Sequence, residues 1–203
     1  MSFSIRPLPS IVLQFSVPLV LSIVCFVVPA WADFQAGMDA NNREDYAAAL
    51  REWRPLAEKG DALAQYHLGV LYRKGRGVPQ DDVQAGKWYD KAAVQGQAKA
   101  QFNLGTLYFN GEGVPKDYKQ ALRWFRLAAD QGEAVAQTKI AIMYEDAQGV
   151  PHDLVQAYKW YSLAITSGDK PATLLRNTLT DQMTPAQIAK AQKLVQEWKP
   201  KGK

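Results

Sequence analysis

Cysteine is almost absent from this chain of 203 residues, and histidine is scarce. The single cysteine, Cys25, lies in an apolar stretch near the N-terminus, so no disulfide can hold the rest of the chain together. The two histidines, His67 and His152, belong to no group of residues with metal-ligand spacing. We therefore expect no metal site and no cofactor, and we expect packing alone to stabilise the fold.

An excess of charge of one sign is also lacking. The chain has 24 Lys and Arg residues against 20 Asp and Glu residues, which gives a formal net charge of +4 at pH 7. This excess is too small to indicate a surface that binds nucleic acid. The charges also alternate in sign, as they do on solvated helices. No nucleic-acid partner is expected.

Long hydrophobic runs are missing except near the start. Residues 11–28 are apolar with four interruptions, and they lie between the basic Arg6 and the sequence Ala30-Trp31-Ala32. This pattern predicts a signal peptide over residues 1–32, cleaved after Ala32, and hence a periplasmic or secreted protein with no membrane span after cleavage. The alternative is an uncleaved N-terminal membrane anchor. Pro18 and the small residues at the site favour cleavage.

The rest of the chain is dominated by one repeated unit. Residues 60–95, 96–131 and 132–167 align at a period of 36 residues. Each unit contains two stretches of helical periodicity and no strand pattern, so we predict an all-α array of stacked antiparallel helix pairs. We expect residues 33–59 to be an N-terminal capping half-repeat with one helix, and residues 168–203 to be a C-terminal capping segment.

Recurring residues mark where the helices begin, end and pack. In each unit an aspartate followed three residues later by glutamine predicts an N-cap with a capping box for the second helix, and a glycine predicts the end of that helix. A small residue in the first helix, Gly69 in the first unit, should let its neighbour approach closely. The second helix carries a tryptophan on the same face as two alanines, so we expect three core residues: Trp88, Trp124 and Trp160.

The unit at 62–96 reads A-x-A-Q-Y-x-L-G-x-L-Y, then G-x-G-V-P-x-D, then Q-A-x-K-W-Y-x-K-A-A-x-Q-G. This pattern resembles the Sel1-like repeat family over three complete units. The resemblance implies a right-handed α-solenoid related to tetratricopeptide arrays, which usually serves as an adaptor in protein complexes. The third unit departs from the pattern, because Thr138 replaces an aromatic residue and Ala147 replaces the first turn glycine. We therefore expect its loop to be distorted.

Little in the sequence indicates catalysis. Ser167 and Lys170 form an S-x-x-K motif, as in penicillin-recognising serine enzymes, but that chemistry needs both residues on consecutive helical turns. Gly168 ends a helix between them, so we do not expect an enzyme. His152 follows a proline in a loop, and His67 takes a helix position that is polar in the other units. We expect both histidines to be surface residues.

The positions that vary between units indicate where a partner binds. In the first helix of each unit they are spaced by four, three and four residues, so they form one stripe on the helix surface. We predict that this stripe lines a groove that binds another protein or peptide outside the cytoplasm. The alternative is recognition of cell-wall glycan or peptide, with weak hydrolytic activity. The stripe consists of Leu63, His67, Val70, Lys74, Lys99, Asn103, Thr106, Asn110, Val135, Lys139, Ile142 and Asp146.

Overall fold

The computed structural model describes residues 30–200, and this part of the chain contains ten α-helices and no strand. Most of the helices are 12 or 13 residues long and are joined by short loops. In chain order they are α1 (Ala30–Asn42), α2 (Tyr46–Glu58), α3 (Ala62–Lys74), α4 (Asp82–Val94), α5 (Ala98–Asn110), α6 (Tyr118–Asp130), α7 (Ala134–Glu145), α8 (Leu154–Thr166), α9 (Ala172–Thr180) and α10 (Pro185–Glu197).

The helices form successive pairs that stack in chain order. Helices α1 and α2 pack together, as do α3 and α4, α5 and α6, and α7 and α8. Each pair then packs on the next through α2 and α3, α4 and α5, and α6 and α7. Contacts between neighbours in a row are typical of a solenoid. The predicted all-α stack of helix pairs is therefore confirmed.

The predicted aspartate N-caps and glycine stop signals are confirmed, but the glutamines three residues after the aspartates form no capping box. The backbone N–H groups of Asp81, Asp117 and Asp153 donate instead to the carbonyls of Tyr72, Tyr108 and Tyr144. The carboxylates of Asp81, Asp117 and Asp153 each accept a hydrogen bond from the backbone N–H three residues on, and so cap α4, α6 and α8. The glycines after the second helices lie in the left-handed region, with φ between 90° and 106° for Gly60, Gly96, Gly132 and Gly168. Local sequence therefore fixes the helix boundaries in every repeat.

A column of fully buried aromatic rings runs through the second helices and forms the centre of the stack. Its members recur at the 36-residue period and are at most 1% exposed: Trp53, Tyr89, Phe125 and Tyr161. Small residues on the facing helices make room for these rings, as predicted. A Cβ atom on Gly69 would lie 2.5 Å from the Tyr89 ring, and one on Gly105 would lie 2.7 Å from the Phe125 ring.

The tryptophans one position earlier lie at the edge of this core. Trp124 and Trp160 are buried, as predicted, with 6% of each exposed. Trp88 is only half-buried, so the expectation that it is a core residue is wrong. Its ring lies instead under the ammonium group of Lys91, 4.3 Å from the ring centroid. Residue 89, not 88, holds the repeat together, because its side chain points between the helices.

Glutamines link successive helix pairs in what we call the glutamine ladder, in which Gln65, Gln101 and Gln137 are buried and Gln95 and Gln131 are exposed. The amide groups of Gln65, Gln101 and Gln137 each donate to a carbonyl of the preceding second helix, at 2.9–3.2 Å. Gln95 and Gln131 in turn donate to the side-chain oxygens of Gln65 and Gln101. In the third repeat the corresponding residue is Ser167, and Gln137 Oε1 is buried without a hydrogen-bond partner among the described residues.

Both ends of the stack are covered by additional helices. The segment 33–59 was expected to contain one helix, but it contributes to two, because α1 begins at Ala30 and packs on α2. At the other end, α10 begins with the predicted capping box at Thr184 and Gln187, and its apolar side packs on the core. The short helix α9 was not predicted. Helices α9 and α10 both pack against α8 and cover the face that a further repeat would occupy.

The third repeat keeps the regular loop geometry despite its altered sequence. Ala147 stands where the other repeats have Gly75 and Gly111, and it adopts the same left-handed conformation, with φ of 56° against 62° and 78°. The expected distortion is therefore small: α7 ends one residue earlier than its counterparts. The replacement of glycine by Ala147 strains the backbone there, since a Cβ atom disfavours the left-handed conformation.

The predicted signal peptide lies outside the described residues, apart from residues 30–32 in the first turn of α1. Within residues 30–200, no helix combines the length and the apolar character needed to cross a membrane.

Candidate functional site

The predicted stripe lies on α3, α5 and α7, and none of its twelve residues is buried. Five of them are well exposed: Leu63, Lys74, Lys99, Asn110 and Asp146. Val135 is also exposed, at 44%. The others are half-buried: His67, Val70, Asn103, Thr106, Lys139 and Ile142.

A cleft of about 270 Å³ brings part of the stripe together. Val70 and Lys74 from α3 line it on one side, and Asn103 from α5 lines it on the other. The remaining wall is formed by Tyr66, Arg73 and Tyr89. The structure thus joins stripe residues of the first and second repeats into one depression that exposes apolar, aromatic, amide and cationic groups.

The sequence comparison missed Tyr66, Arg73 and Tyr89. Tyr89 belongs to α4 and reaches the cleft from behind α3, which helical periodicity within α3 does not reveal. Burial raises the pKa of the Tyr89 hydroxyl well above its usual range, so this group stays protonated and able to donate. The pKa of Tyr66 is also raised, mainly by burial. Two neutral phenol groups therefore border the cleft at physiological pH.

Arg73 is held in place by an ion pair between repeats. Its guanidinium donates to Glu112 at 2.8 Å, and the Asn110 side chain donates to the other carboxylate oxygen at 2.9 Å. Asn110 is a stripe residue, so the stripe and the loop after α5 are connected. The ion pair is partly exposed, which limits its contribution to stability to about 1 kcal/mol or less. It does fix the position of a charged side chain at the edge of the cleft.

His67 is not the surface residue that the sequence suggested. Its ring stacks on Trp53 with centroids 4.5 Å apart and also contacts the Phe34 and Tyr66 rings. Burial, reinforced by the positive charge of Lys99, lowers the pKa of His67 to about 4. His67 is thus a neutral link between α3 and the N-terminal helices.

In the third repeat, stripe residues pack against other residues of the helix stack. Lys139 lies over the Phe109 ring of the previous repeat, 5.6 Å from its centroid. Ile142 packs against the core, and Asp146 is the C-cap residue that follows α7. This end of the stripe lies outside the cleft that Val70, Lys74 and Asn103 share.

The structure places the candidate catalytic groups apart from any assembled site. Ser167 ends α8 and Gly168 follows in the left-handed region, so Ser167 and Lys170 do not lie on consecutive helical turns. His152 Nδ1 lies 2.6 Å from the backbone carbonyl oxygen of Glu145. Across residues 30–200, His, Asp, Glu and Cys side chains nowhere form a group of three that could hold a metal ion.

Comparison with known proteins agrees with this architecture. The Sel1 repeat matches the sequence three times, at residues 62–97, 98–133 and 134–169, which together make up more than half of the chain. No curated protein matches the sequence.

Solved structures also resemble the fold, among them these two. A Sel1 repeat protein from Oxalobacter formigenes is 34% identical, with a TM-score of 0.69 over 73% of this chain and 61% of that one. The protein c5321, a protective antigen present in uropathogenic Escherichia coli strains, displays an SLR fold and is 30% identical, with a TM-score of 0.58 over 83% of this chain and 45% of that one. The chain spans less than two thirds of the length of either. By its repeats and its fold, this chain belongs to the Sel1 repeat family.

Proposed function

We propose that this protein is a non-catalytic interaction module that works outside the cytoplasm and binds another protein or peptide through the stripe. The observation that carries the proposal is the cleft between α3 and α5, where stripe residues of two repeats meet. Sel1 repeats mediate protein interactions in general, which supports the class of function.

The chemistry of the cleft favours an extended polypeptide as ligand. Val70 and the Tyr66 ring offer apolar surface, Asn103 and the Tyr66 hydroxyl offer hydrogen bonds, and Lys74 offers a positive charge. A peptide presents backbone amides and side chains of mixed character at short intervals. The mixed groups that line the cleft therefore suit a peptide as ligand. Hydrolysis would need an activated nucleophile or a metal, and the described residues bring neither together around the stripe.

We propose further that residues 1–32 direct export and are removed after Ala32. A chain without cysteine beyond Cys25 can fold in an oxidising compartment without forming wrong disulfides. Sequencing the N-terminus of the protein purified from its own cells tests this directly. Asp33 as the first residue is expected, whereas an intact Met1 or Ser2 in the membrane fraction would support an uncleaved anchor.

Site-specific photo-cross-linking in living cells tests the binding surface. A photoreactive residue at Lys99, an exposed stripe position, should trap a polypeptide that mass spectrometry can identify. The same residue at Lys119, which is exposed on α6 away from the stripe, is the matched control. Equal trapping at both positions would contradict the proposal, and a glycan trapped at Lys99 would instead support cell-wall recognition.

A further inference from the structure

A second pocket, separate from the stripe, lies in the C-terminal cap of the stack. It has a volume of about 340 Å³ and is lined by residues of α8, α9 and α10. This is within the lower range of pockets that bind small ligands, roughly 300–1,000 Å³. Its polar lining includes Ser162 from α8, Arg176 from α9, and Gln192 and Gln196 from α10.

Helix α9 departs from the repeat at several core positions, and one of the replaced residues, Arg176, lines the pocket. Helix α9 continues the 36-residue register, since its buried residues Ala172 and Leu179 fall at the positions of Ala136 and Met143. In the same register Arg176 replaces a side chain that is at most 2% exposed in each repeat, namely Leu68, Leu104 and Ile140. A guanidinium group therefore stands where the repeats have an apolar core residue.

Arg176 is held in the pocket by an aromatic ring and not by an acid. Its guanidinium carbon lies 5.6 Å from the centroid of the Tyr158 ring, which also lines the pocket. The ion pairs within residues 30–200 all involve other side chains. A guanidinium group has five N–H donors, so it keeps donors for a ligand.

Ser162 adds a buried polar group that lacks a partner. The residue is 8% exposed, and its hydroxyl oxygen makes no hydrogen bond within the described part of the chain. The equivalent residues of the earlier repeats, Asp90 and Arg126, are exposed. Ser162 is buried because α10 covers α8. An unpaired buried hydroxyl is unfavourable, so a ligand that pairs with it gains affinity.

We propose that this pocket binds a small organic carboxylate with an apolar body. Arg176 matches the planar shape of a carboxylate and can donate two parallel hydrogen bonds to it. The Ser162 hydroxyl and the amides of Gln192 and Gln196 supply further donors. Ile165 and Val195 supply apolar wall for the rest of the ligand. Arg176 is the charged residue of the lining, so the pocket suits a monoanion better than doubly charged phosphate.

Titration calorimetry on the purified protein tests the proposal, with N-acetylvaline as the probe and its neutral amide as the control compound. Saturable binding of the acid is expected at about millimolar Kd, with at least tenfold weaker binding of the amide. The carboxylate could belong to a small metabolite or to the C-terminus of a protein. A peptide that ends in valine, with a free or an amidated C-terminus, distinguishes these two sources. Tighter binding of the free peptide than of N-acetylvaline indicates a protein C-terminus, and the reverse indicates a small metabolite.

Three variants locate the binding site. Arg176→Gln should weaken binding about tenfold or more, because it removes a charge-assisted pair. Arg123→Gln is the matched control: Arg123 also lies over an aromatic ring, Trp124, but outside the pocket. Ser162→Ala should weaken binding about two- to tenfold without lowering the melting temperature, since it removes an unpaired group.

Several results would overturn the proposal. They are equal binding of the acid and the amide, tighter binding of inorganic phosphate than of the acid, wild-type affinity in Arg176→Gln, or no saturable binding of any carboxylate. If Arg176→Gln fails to fold, Ser162→Ala decides, and unchanged affinity in that variant counts against the site. The stripe is not involved in these measurements, so they are independent of the proposed interaction function.

Discussion

The interrupted glutamine ladder makes a quantitative prediction about the third repeat. In the first two repeats, the buried side-chain oxygen of Gln65 or Gln101 accepts a hydrogen bond from the glutamine that ends the second helix. Ser167 ends that helix in the third repeat, and it cannot reach Gln137. The change Ser167→Gln should therefore complete the ladder and stabilise the protein.

The backbone is already arranged for the longer side chain. Ser167 has φ of −81° and ψ of −1°, against −82° and 0° for Gln95 and −89° and 0° for Gln131. The glycine that follows is left-handed in all three repeats. All three side chains are also exposed at their outer ends. A glutamine at position 167 can thus adopt the same conformation without moving the helix.

The expected gain follows from two opposing terms. Satisfying the buried Gln137 oxygen is worth about 1–3 kcal/mol, and ordering a glutamine side chain costs up to about 2 kcal/mol. We expect a net gain of about 1 kcal/mol. For a chain of this size, that corresponds to a rise of about 2–4 °C in melting temperature.

Denaturant and thermal unfolding of three variants would measure the effect. Ser167→Ala is the control, because it removes the hydroxyl without adding a donor, and its stability should stay within about 0.5 kcal/mol of wild type. Gln131→Ser is the reverse change and should cost about 1 kcal/mol or more, since it leaves the buried side-chain oxygen of Gln101 without a donor. If Ser167→Gln adds nothing and Gln131→Ser costs nothing, the ladder does not stabilise the stack and our reasoning is wrong.

Three further predictions follow from the core and the loops. The pKa of His67 is lowered to about 4 in the folded protein, so below pH 6.5 this residue binds a proton more readily in the unfolded chain than in the folded one. The free energy of unfolding should therefore fall by about 2 kcal/mol between pH 6.5 and pH 4. Unfolding experiments at both pH values should show that His67→Asn removes this loss. Ala147→Gly should relieve a left-handed alanine and raise the free energy of unfolding by about 0.5–1 kcal/mol in denaturant melts, whereas a loss would show that φ at 147 is not strained. Phe125→Ala should cost about 3–5 kcal/mol and Trp88→Ala clearly less; equal losses would contradict the assignment of the core column.

The sequence predicts most of the repeat architecture because its signals are local. An aspartate N-cap or a left-handed glycine acts within a few residues, and each occurs three or more times, so a chance match is improbable. The core column was harder to place. Residues 88 and 89 are both aromatic, and helical periodicity within one unit does not show which of two adjacent rings points between the helices.

The features that sequence reasoning missed depend on contacts between distant segments. His67 is half-buried against Phe34 and Trp53, which belong to the N-terminal helix pair, so the residues next to it in the sequence do not reveal these contacts. Helix α9 was missed because Arg176 interrupts its apolar spacing. In the candidate site, comparing the repeats with one another was enough to predict the stripe. It could not predict that Tyr89 lines the cleft, because Tyr89 lies on α4 and the stripe lies on the first helices.

The central claim is that the stripe binds a polypeptide and does not catalyse a reaction on it. One capture experiment tests this claim most directly. Lys74 and Lys99 are exposed stripe residues, whereas Asn103 is avoided because it is half-buried beside the core residue Tyr89. The double variant Lys74→Ala and Lys99→Ala should lose most of the partner identified by cross-linking, with stability within about 0.5 kcal/mol of wild type for each change. The control, Lys87→Ala and Lys119→Ala, removes the same charge from exposed positions of α4 and α6 and should capture the partner normally. Normal capture by the stripe variant, or equal loss in both, would contradict the account.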